Sequence, residues 1–270
     1  MLRSLYSGVA GLKNHQIRMD VIGNNIANVN TVGFKSSRVV FEDIYSQTLK
    51  PASAGSATTG GMNPQQVGLG VTIAAIDVLH TRTGAQYTGS PLDVSIEGDG
   101  FFVVNDGFGN YFTRAGNFYT DDDNYLVTAT GMRVQARATP PATGTVSIQI
   151  PSNYYDISID KTGAIIGINS TTTNKETIGH LCIAKFNNQN ALEKVGESLF
   201  RESSNSGTPT YMNPGTTGAP FLNPGSLEMS NVDLAKEFTD MIITQRGFQA
   251  NSRIITTSDQ LLEELVNLKR

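Results

Sequence analysis

The last stretch of the chain, residues 230–270, reads SNVDLAKEFTDMIITQRGFQANSRIITTSDQLLEELVNLKR. Positions spaced alternately four and three apart along it are mostly apolar: Leu234, Phe238, Met241, Gln245, Phe248, Ser252, Ile255, Asp259, Leu262 and Val266. This alternation is typical of a coiled-coil helix. Ser230 and Asp233 predict a capping box at its start. With no proline inside, the stretch predicts one helix of roughly 57 Å, which is longer than a compact domain of this size is wide.

A matching pattern opens the chain. Its apolar positions, again three or four apart, are Leu2, Leu5, Val9, Leu12, Met19, Ile22, Ile26 and Val29. Gly8, Gly11 and Gly23 each weaken a helix by about 1 kcal/mol relative to alanine, but small residues also let a neighbouring helix approach closely. The simplest prediction pairs residues 1–30 with residues 230–270 as one coiled-coil core domain. The alternative is a C-terminal helix that folds back on its own domain.

The residues between these helices predict a connector over residues 31–78 and a β-rich domain over residues 79–229. Lys50 to Gly61 is rich in Ala, Ser, Thr and Gly, which favours a mobile loop. Beyond the connector, short apolar runs alternate with turn signals such as Gly98-Asp99-Gly100 and Lys161-Thr162-Gly163. That spacing predicts a mainly antiparallel sandwich or barrel. Ser203 to Gly225 reads as an extended return segment. The expected fold class is therefore α+β, with a β-domain inserted between two paired terminal helices.

Composition excludes several functions. The 270 residues carry 20 Lys plus Arg against 24 Asp plus Glu, which argues against nucleic-acid binding and a polybasic membrane anchor. Polar Asn14, His15 and Gln16 interrupt the first apolar segment, so we expect neither a cleaved signal peptide nor a transmembrane segment. The single cysteine, Cys182, excludes an internal disulfide, and its apolar neighbours predict a buried thiol.

No residue pattern predicts chemistry. Asp121-Asp122-Asp123-Asn124 lacks the alternating ligands and closing glutamate of a calcium loop, which favours a solvated turn. His15, His80 and His180 have no second ligand at metal-binding spacing. The Gly-X-Gly clusters are followed by strands and not by the Lys-Ser/Thr of a phosphate loop. We therefore expect no catalytic residue, no cofactor, no metal and no small-molecule substrate.

The exit from the first helix carries the most specific motif. Asn24-Asn25-Ile26-Ala27-Asn28-Val29-Asn30-Thr31-Val32-Gly33-Phe34-Lys35 places residues that tolerate the left-handed conformation where a helix ends. With Met1 to Gly8, Leu227 to Asp233 and Gln245 to Gln249, it closely resembles the bacterial flagellar axial proteins, the rod and hook family. We single out Asn24, Asn25, Asn28, Thr31, Gly33, Phe34 and Lys35 as the family motif.

The resemblance implies a structural subunit, not an enzyme, that polymerises into a hollow helical tube. It is most like the short-type flagellar hook protein, which links rod to filament and transmits torque; the alternative is the distal rod protein of the basal body. In this family the connector length separates the straight rod from the bendable hook, and the long connector here keeps the rod assignment open. A secreted β-domain enzyme or carbohydrate-binding module is a distant alternative.

The resemblance also implies partners and a location. The partners would be further copies of the chain, adjacent rod, hook-filament junction and hook-cap proteins, and the flagellar type III export apparatus. The location would be the basal body and hook, outside the cell. We expect subunit contacts from Leu5, Val9, Leu12, Met19, Ile26, Leu234, Phe238, Met241, Phe248, Ile255 and Leu262.

Overall fold

The computed structural model describes residues 2–55, 60–137, 145–172 and 174–268. The helices are α1, Leu2–Ala27, and α2, Leu234–Asn267, with one short 3-10 helix at Gln189–Ala191. The strands are β1 Ser37–Asp43, β2 Ser46–Lys50, β3 Gln65–Gly68, β4 Val71–Val78, β5 Ala85–Tyr87, β6 Val94–Glu97, β7 Phe101–Asn105, β8 Asn110–Thr113, β9 Phe118–Thr120, β10 Leu126–Thr128, β11 Arg133–Arg137, β12 Thr145–Ser147, β13 Tyr154–Ile159, β14 Ala164–Asn169, β15 Lys175–His180, β16 Ile183–Lys185, β17 Glu193–Gly196, β18 Leu199–Arg201, β19 Thr210–Met212, β20 Phe221–Pro224 and β21 Ser226–Glu228.

These elements form two compact units. The helical unit comprises Met1–Ala27, Ser37–Val78 and Asp233–Arg270, and the β unit comprises Asn28–Ser36 and Leu79–Val232. The chain therefore passes from one unit to the other four times. Neither helix in the described ranges is long and apolar enough to cross a membrane.

In the helical unit, α1 and α2 pack together as the 3-4 patterns predict. The start of α2 differs from the prediction. Asp233, and not Ser230, is the N-cap: its carboxylate accepts hydrogen bonds from the backbone nitrogens of Ala235 at 3.0 Å and Lys236 at 3.3 Å. Aspartate is among the best N-cap residues because it satisfies backbone N–H groups that have no partner inside the helix.

The predicted connector contains an antiparallel ribbon in the helical unit. Strand β1 pairs with β4, and β2 pairs with β3. Both inner strands of this ribbon, β2 and β3, are exposed along their whole length. Of the predicted mobile loop, residues 56–59 lie outside the described residues; on either side of them, Ser53 and Met62 form an isolated bridge.

In the β unit the predicted antiparallel β-rich domain is confirmed. Its largest sheet runs in the order β17-β18-β8-β7-β11-β10-β9, with β12, β16 and β19 attached. A three-stranded sheet, β13-β14-β15, and two ribbons, β6 with β20 and β5 with β21, complete it. Alternating apolar side chains fill its core, among them Val94, Phe102, Val104, Phe118, Leu126, Val134, Ile165, Leu181 and Leu222.

Candidate assembly interface

The two terminal helices meet through glycines. A Cβ atom placed on Gly11 would lie 2.6 Å from Nδ2 of Asn251, and one on Gly8 would lie 3.3 Å from Cγ1 of Ile255. On the other helix, a Cβ on Gly247 would lie 2.8 Å from the ring of His15. Each helix therefore lacks a side chain where the other presents one. The glycines that weaken α1 by propensity are the ones that let it approach α2.

Polar contacts fix the same pairing. Arg18 forms an ion pair with Asp240 at 3.0 Å. Asn25, which is buried, donates to Glu237 Oε1 at 3.2 Å and to the carbonyl oxygen of Ser37 at 2.8 Å, and it accepts from the Ser37 nitrogen at 3.0 Å. Buried polar groups need such partners, so Asn25 holds both α2 and the start of the ribbon against α1.

His15 lies at the centre of the helix contact. Its ring packs edge-on against Phe41 of β1, with 5.9 Å between ring centroids, and its Nδ1 is buried without a hydrogen-bond partner among the described residues. Burial, and secondarily the nearby Arg18 charge, lower the pKa of His15. The ring therefore acts as a neutral spacer between α1, α2 and β1.

The glycine pattern gives a paired prediction. Gly23→Ala should stabilise α1 by about 1 kcal/mol, because no atom lies within 4 Å of the added Cβ and alanine is the better helix former. Gly11→Ala should be less stabilising than Gly23→Ala, because its Cβ would lie 2.6 Å from the Asn251 side chain and an overpacking cost of about 1–3 kcal/mol opposes the same gain in helix propensity. Thermal unfolding followed by the helical circular dichroism signal measures both. Equal melting temperatures for the two variants would contradict the observed pairing face.

The rest of the motif lies in the β unit. Thr31 donates from Oγ1 to Asn28 Oδ1 at 3.1 Å, which closes the turn after α1. Gly33 adopts φ +67° and donates its nitrogen to the Glu228 carbonyl oxygen at 2.9 Å. The Phe34 ring lies under the Lys194 ammonium, 4.8 Å from nitrogen to ring centroid. The motif is thus a turn whose backbone is held at Gly33.

Lys35 opens a buried ion cluster. Its Nζ lies 2.6 Å from Oε1 of Glu228 and donates to the Thr81 carbonyl oxygen at 2.8 Å. Arg114 donates to the other Glu228 oxygen at 3.4 Å and to the Gly98 carbonyl oxygen at 2.9 Å. All three charged side chains are at most 2% exposed. Burial lowers the pKa of Lys35 and of Arg114, and in each case the Glu228 carboxylate opposes that effect.

Asn231 also links the three segments of the β unit that carry Lys35, Thr81 and Glu228. It accepts from the Ser36 nitrogen at 2.7 Å and donates to the Leu79 carbonyl oxygen at 2.7 Å. Sequence reasoning assigned no role to Arg114, Glu228 or Asn231. One available signal was Glu228 itself, a single charge between Leu227 and Met229 in a short strand.

His80 packs beside this cluster and gives the β unit a pH dependence. Its ring packs edge-on against Phe101 and at a tilt against Phe200, and burial, with the Arg114 charge second, lowers its pKa to about 4. Unfolding returns the pKa to about 6.5, so the unfolded chain binds more protons between these values. The unfolding free energy should have its full value above pH 6.5 and should fall by about 3 kcal/mol as the pH drops to 4. Denaturant titrations across this range measure it, and His80→Met should have a shallower pH slope; equal slopes would contradict the assignment.

The described residues contain no group of three or more His, Cys, Asp or Glu side chains that could hold a metal ion. Cys182 is buried, and burial raises the pKa of its thiol to about 12, so it is unreactive at neutral pH. What the residues do provide is a close helix pair and a fixed turn.

Three family models match the chain over segments that coincide with these features. "Flagella basal body rod protein" matches residues 5–35, "Flagellar hook protein FlgE/F/G D1 domain" matches residues 95–167, and "Flagellar basal body rod FlgEFG protein C-terminal" matches residues 223–268. The flagellar basal-body rod protein FlgG of Bacillus subtilis (strain 168) is 51% identical over 271 residues, covering 100% of both chains. This chain belongs to the flagellar rod and hook family.

Other members of the rod and hook family span the whole chain as well. The flagellar hook protein FlgE of Borreliella burgdorferi is 32% identical over 442 residues, and FlgG of the same organism is 37% identical over 276 residues, each covering 100% of both chains. The resemblance read from the motifs is confirmed, and the chain is a flagellar axial structural protein. The narrower expectation, a short-type hook protein, receives only this family-level support.

In this axial protein the predicted contact residues divide into two groups. Partly buried are Leu5, Leu12, Met19, Ile26, Met241, Phe248, Ile255 and Leu262. Val9, Leu234 and Phe238 are 53%, 39% and 50% exposed. On α2, one row of the seam consists of Met241, Phe248, Ile255 and Leu262, as predicted. The second row consists of Thr244, Asn251 and Ser258, each one residue before the predicted Gln245, Ser252 and Asp259. Thr244 and Ser258 of that row are buried.

Proposed function

We propose that this chain is a subunit of the flagellar rod, the distal rod protein, and that it polymerises into an open-ended helical tube. The observation that carries the proposal is a contrast in length. Alignment with FlgG of Bacillus subtilis takes 271 residues for the 270 of this chain, whereas alignment with the hook protein of Borreliella burgdorferi takes 442. The hook protein therefore carries long insertions that this chain lacks, while the rod proteins match it end to end.

Exposed apolar surface in the helical unit supports polymerisation. On α2 the side chains of Phe238, Ile242, Ile243, Leu265 and Val266 are each at least 50% exposed. On the ribbon, Tyr45, Leu49 and Met62 are 90%, 54% and 55% exposed. Contiguous exposed apolar surface marks interaction sites, and a two-stranded ribbon is marginally stable alone. Contacts with further copies would cover both.

The partners and location follow from the same proposal. Copies of the chain would contact one another and the adjacent rod and hook proteins. The hook-filament junction and hook-cap proteins, which the hook interpretation would bring in, would then be more distant neighbours. Export through the flagellar type III apparatus would deliver the chain without a cleaved signal. A rod subunit needs no cofactor, substrate or nucleic acid for this role.

Gene replacement tests rod against hook. The chain should restore motility to a Bacillus subtilis strain that lacks its own FlgG, and electron microscopy should show straight rods carrying hooks. It should not restore a strain that lacks its hook protein. Rescue of the hook-deficient strain alone would favour the short-type hook interpretation, and rescue of neither strain would contradict the rod proposal.

A substitution in the helix seam should block assembly. Phe248→Asp places a charge on the predicted seam of α2, where the ring is partly buried; burial of an apolar side chain contributes up to about 1.5–3 kcal/mol, and a carboxylate taken out of water adds a further cost. The β unit, which has its own core, should remain folded. The matched control is Gln249→Asp, an exposed neighbour on the same helix. Sedimentation after induced assembly should recover polymer from the control only; normal polymer yield from Phe248→Asp would contradict the role of this seam.

A further inference from the structure

An open apolar groove lies on the surface of the β unit, where four turns meet. It is lined by the turn after α1, the segment at the end of β8, the β10–β11 turn and the β17–β18 turn, and it has a volume of about 410 Å³. Carbon atoms make up most of its surface, and its lining includes Val32, Ala115, Ala129 and Leu199. We call it the β-unit groove.

Two buried residues form the floor of the groove. Thr113 and Leu199 are partners across strands β8 and β18 and are 1% and 6% exposed. The Thr113 hydroxyl donates to the Ser198 carbonyl oxygen at 3.0 Å and accepts from the Ala115 nitrogen at 3.1 Å. Because the hydroxyl proton is used within the β unit, the floor has no donor to offer a visiting group and favours an apolar one.

The same unit carries an aromatic side chain that it does not bury. Phe108 is 99% exposed, which makes it the most exposed large apolar side chain in the part of the chain that the structure describes. It lies in the turn from β7 to β8, between Gly107 and Gly109, and no atom lies within 4 Å of a Cβ placed on either glycine. The turn therefore presents one ring on a narrow support, a shape that can enter a groove.

Hydrogen bonds hold this turn in shape. Asn105 donates from Nδ2 to Asn110 Oδ1 at 2.8 Å, and its Oδ1 accepts from the Gly107 nitrogen at 2.6 Å. We call residues 106–109 the aromatic tip. Because the tip is preformed, a partner that binds Phe108 has little backbone freedom to remove, and such preorganisation favours binding.

We propose that the aromatic tip of one copy inserts Phe108 into the β-unit groove of a second copy. The inference rests on the proposed polymer and names one contact within it. Aromatic side chains seated in pockets are frequent energetic centres of protein interfaces. Within one chain, Phe108 and Thr113 lie near opposite ends of β8, roughly 17 Å apart at about 3.4 Å per residue. A phenylalanine side chain cannot span that distance, so the groove has to be filled by another copy.

The contact has a direction and a limited strength. A copy whose tip is docked still has an empty groove, so copies add one after another without closing, as a filament requires. One aromatic ring buries roughly 150–250 Å², far below the roughly 800 Å² per partner of a stable complex. Asp106 on the tip and Glu197 in the groove are both acidic, which adds repulsion. The contact should therefore form within the polymer and not between free chains in dilute solution.

Removal of the ring tests the contact. Phe108→Ala should raise the critical concentration for polymerisation, measured by sedimentation, about ten- to a hundredfold, because each added copy no longer buries this side chain. The melting temperature of the free chain should not change, since the exposed ring takes no part in folding. Tyr87→Ala is the matched control, because it removes another exposed aromatic side chain from the β unit and should leave polymerisation unchanged. An unchanged critical concentration for Phe108→Ala, or an equal rise for the control, overturns the proposal.

Cross-linking locates the contact. Cys182 is buried, so Asp106→Cys on the tip and Thr130→Cys at the edge of the groove add the accessible thiols. With a short bismaleimide linker, polymer of the double variant should give a ladder of covalent dimers, trimers and longer chains, whereas a mixture of the two single variants should give dimers only. The control replaces Thr130→Cys with Asp122→Cys, an exposed position at the other end of β10.

The outcomes separate this contact from polymerisation itself. Polymer that gives no ladder, or gives the same ladder with the control, overturns the tip contact and leaves the rod proposal standing. The ladder should disappear when Phe108→Ala is added, at concentrations where that variant still polymerises. A ladder that persists there shows that the two surfaces meet without the ring and overturns its insertion. Failure of the unaltered chain to polymerise contradicts both proposals.

Discussion

Glu228→Gln should lower the unfolding free energy of the β unit by about 3–5 kcal/mol. The substitution keeps the size of the side chain but removes the one negative charge that Lys35 and Arg114 share. Both cations are at most 1% exposed, so water cannot replace the carboxylate. A buried charge that loses its partner retains the full cost of its removal from water, and that cost makes the effect large.

Glu97→Gln is the matched control for this prediction. Glu97 also pairs with an arginine, Arg82, at 3.1 Å, but the two side chains are 56% and 54% exposed. Exposed pairs contribute about 0–1 kcal/mol because water screens them. Denaturant unfolding of both variants measures the difference. Similar losses in the two variants would show that burial of the cluster does not matter to stability.

Gly33→Ala, which adds one methyl group to the family motif, should strongly destabilise the β unit. The backbone at Gly33 has φ +67°, which costs an L-residue about 1–2 kcal/mol. The new Cβ would also lie 2.6 Å from the nitrogen of Ala115 and 2.7 Å from the carbonyl carbon of Arg114. Those are backbone atoms that cannot turn aside, so the turn must shift and strain its bond to Glu228.

Gly107→Ala separates the two costs. Gly107 also has positive φ, +92°, but no atom lies within 4 Å of its added Cβ. It should lose only the conformational part, about 1–2 kcal/mol, while Gly33→Ala should lose at least about 2 kcal/mol more. Thermal unfolding of the β unit measures both variants. If Gly107→Ala proved the more destabilising of the two, the close approach at Gly33 would not be the cause.

Local patterns were enough to predict the helices, their pairing and the antiparallel domain. The apolar periodicity of residues 2–27 and 234–267 determines which stretches form helices and which side of each helix is buried. The periodicity did not predict the second row of the α2 seam, because its members Thr244, Asn251 and Ser258 are polar. Thr244 and Ser258 are buried and Asn251 is partly buried, because small side chains fit between two helices that approach closely, as where Asn251 lies against Gly11.

The ion cluster could not be predicted in the same way. Lys35 and Glu228 are separated by 193 positions, and no local rule connects residues so far apart. Their pairing depends on strand β21 returning beside the turn after α1, which is a property of the complete topology. The N-cap of α2 could not be predicted from local sequence for a similar reason. Ser230 and Asp233 are both suitable N-cap residues, and tertiary contacts of the preceding residues decide which of them starts the helix.

The ion cluster has a consequence for engineering. It ties Lys35, in the short segment Asn28–Ser36 of the β unit, to Glu228, near the end of the long segment Leu79–Val232, so buried charges hold the two separate stretches of this unit together. Such a unit should accept a replacement segment: exchange of residues 79–227 for the equivalent segment of a relative should succeed when the incoming segment has arginine at the position of Arg114, to join the retained Lys35 and Glu228, and fail when it does not.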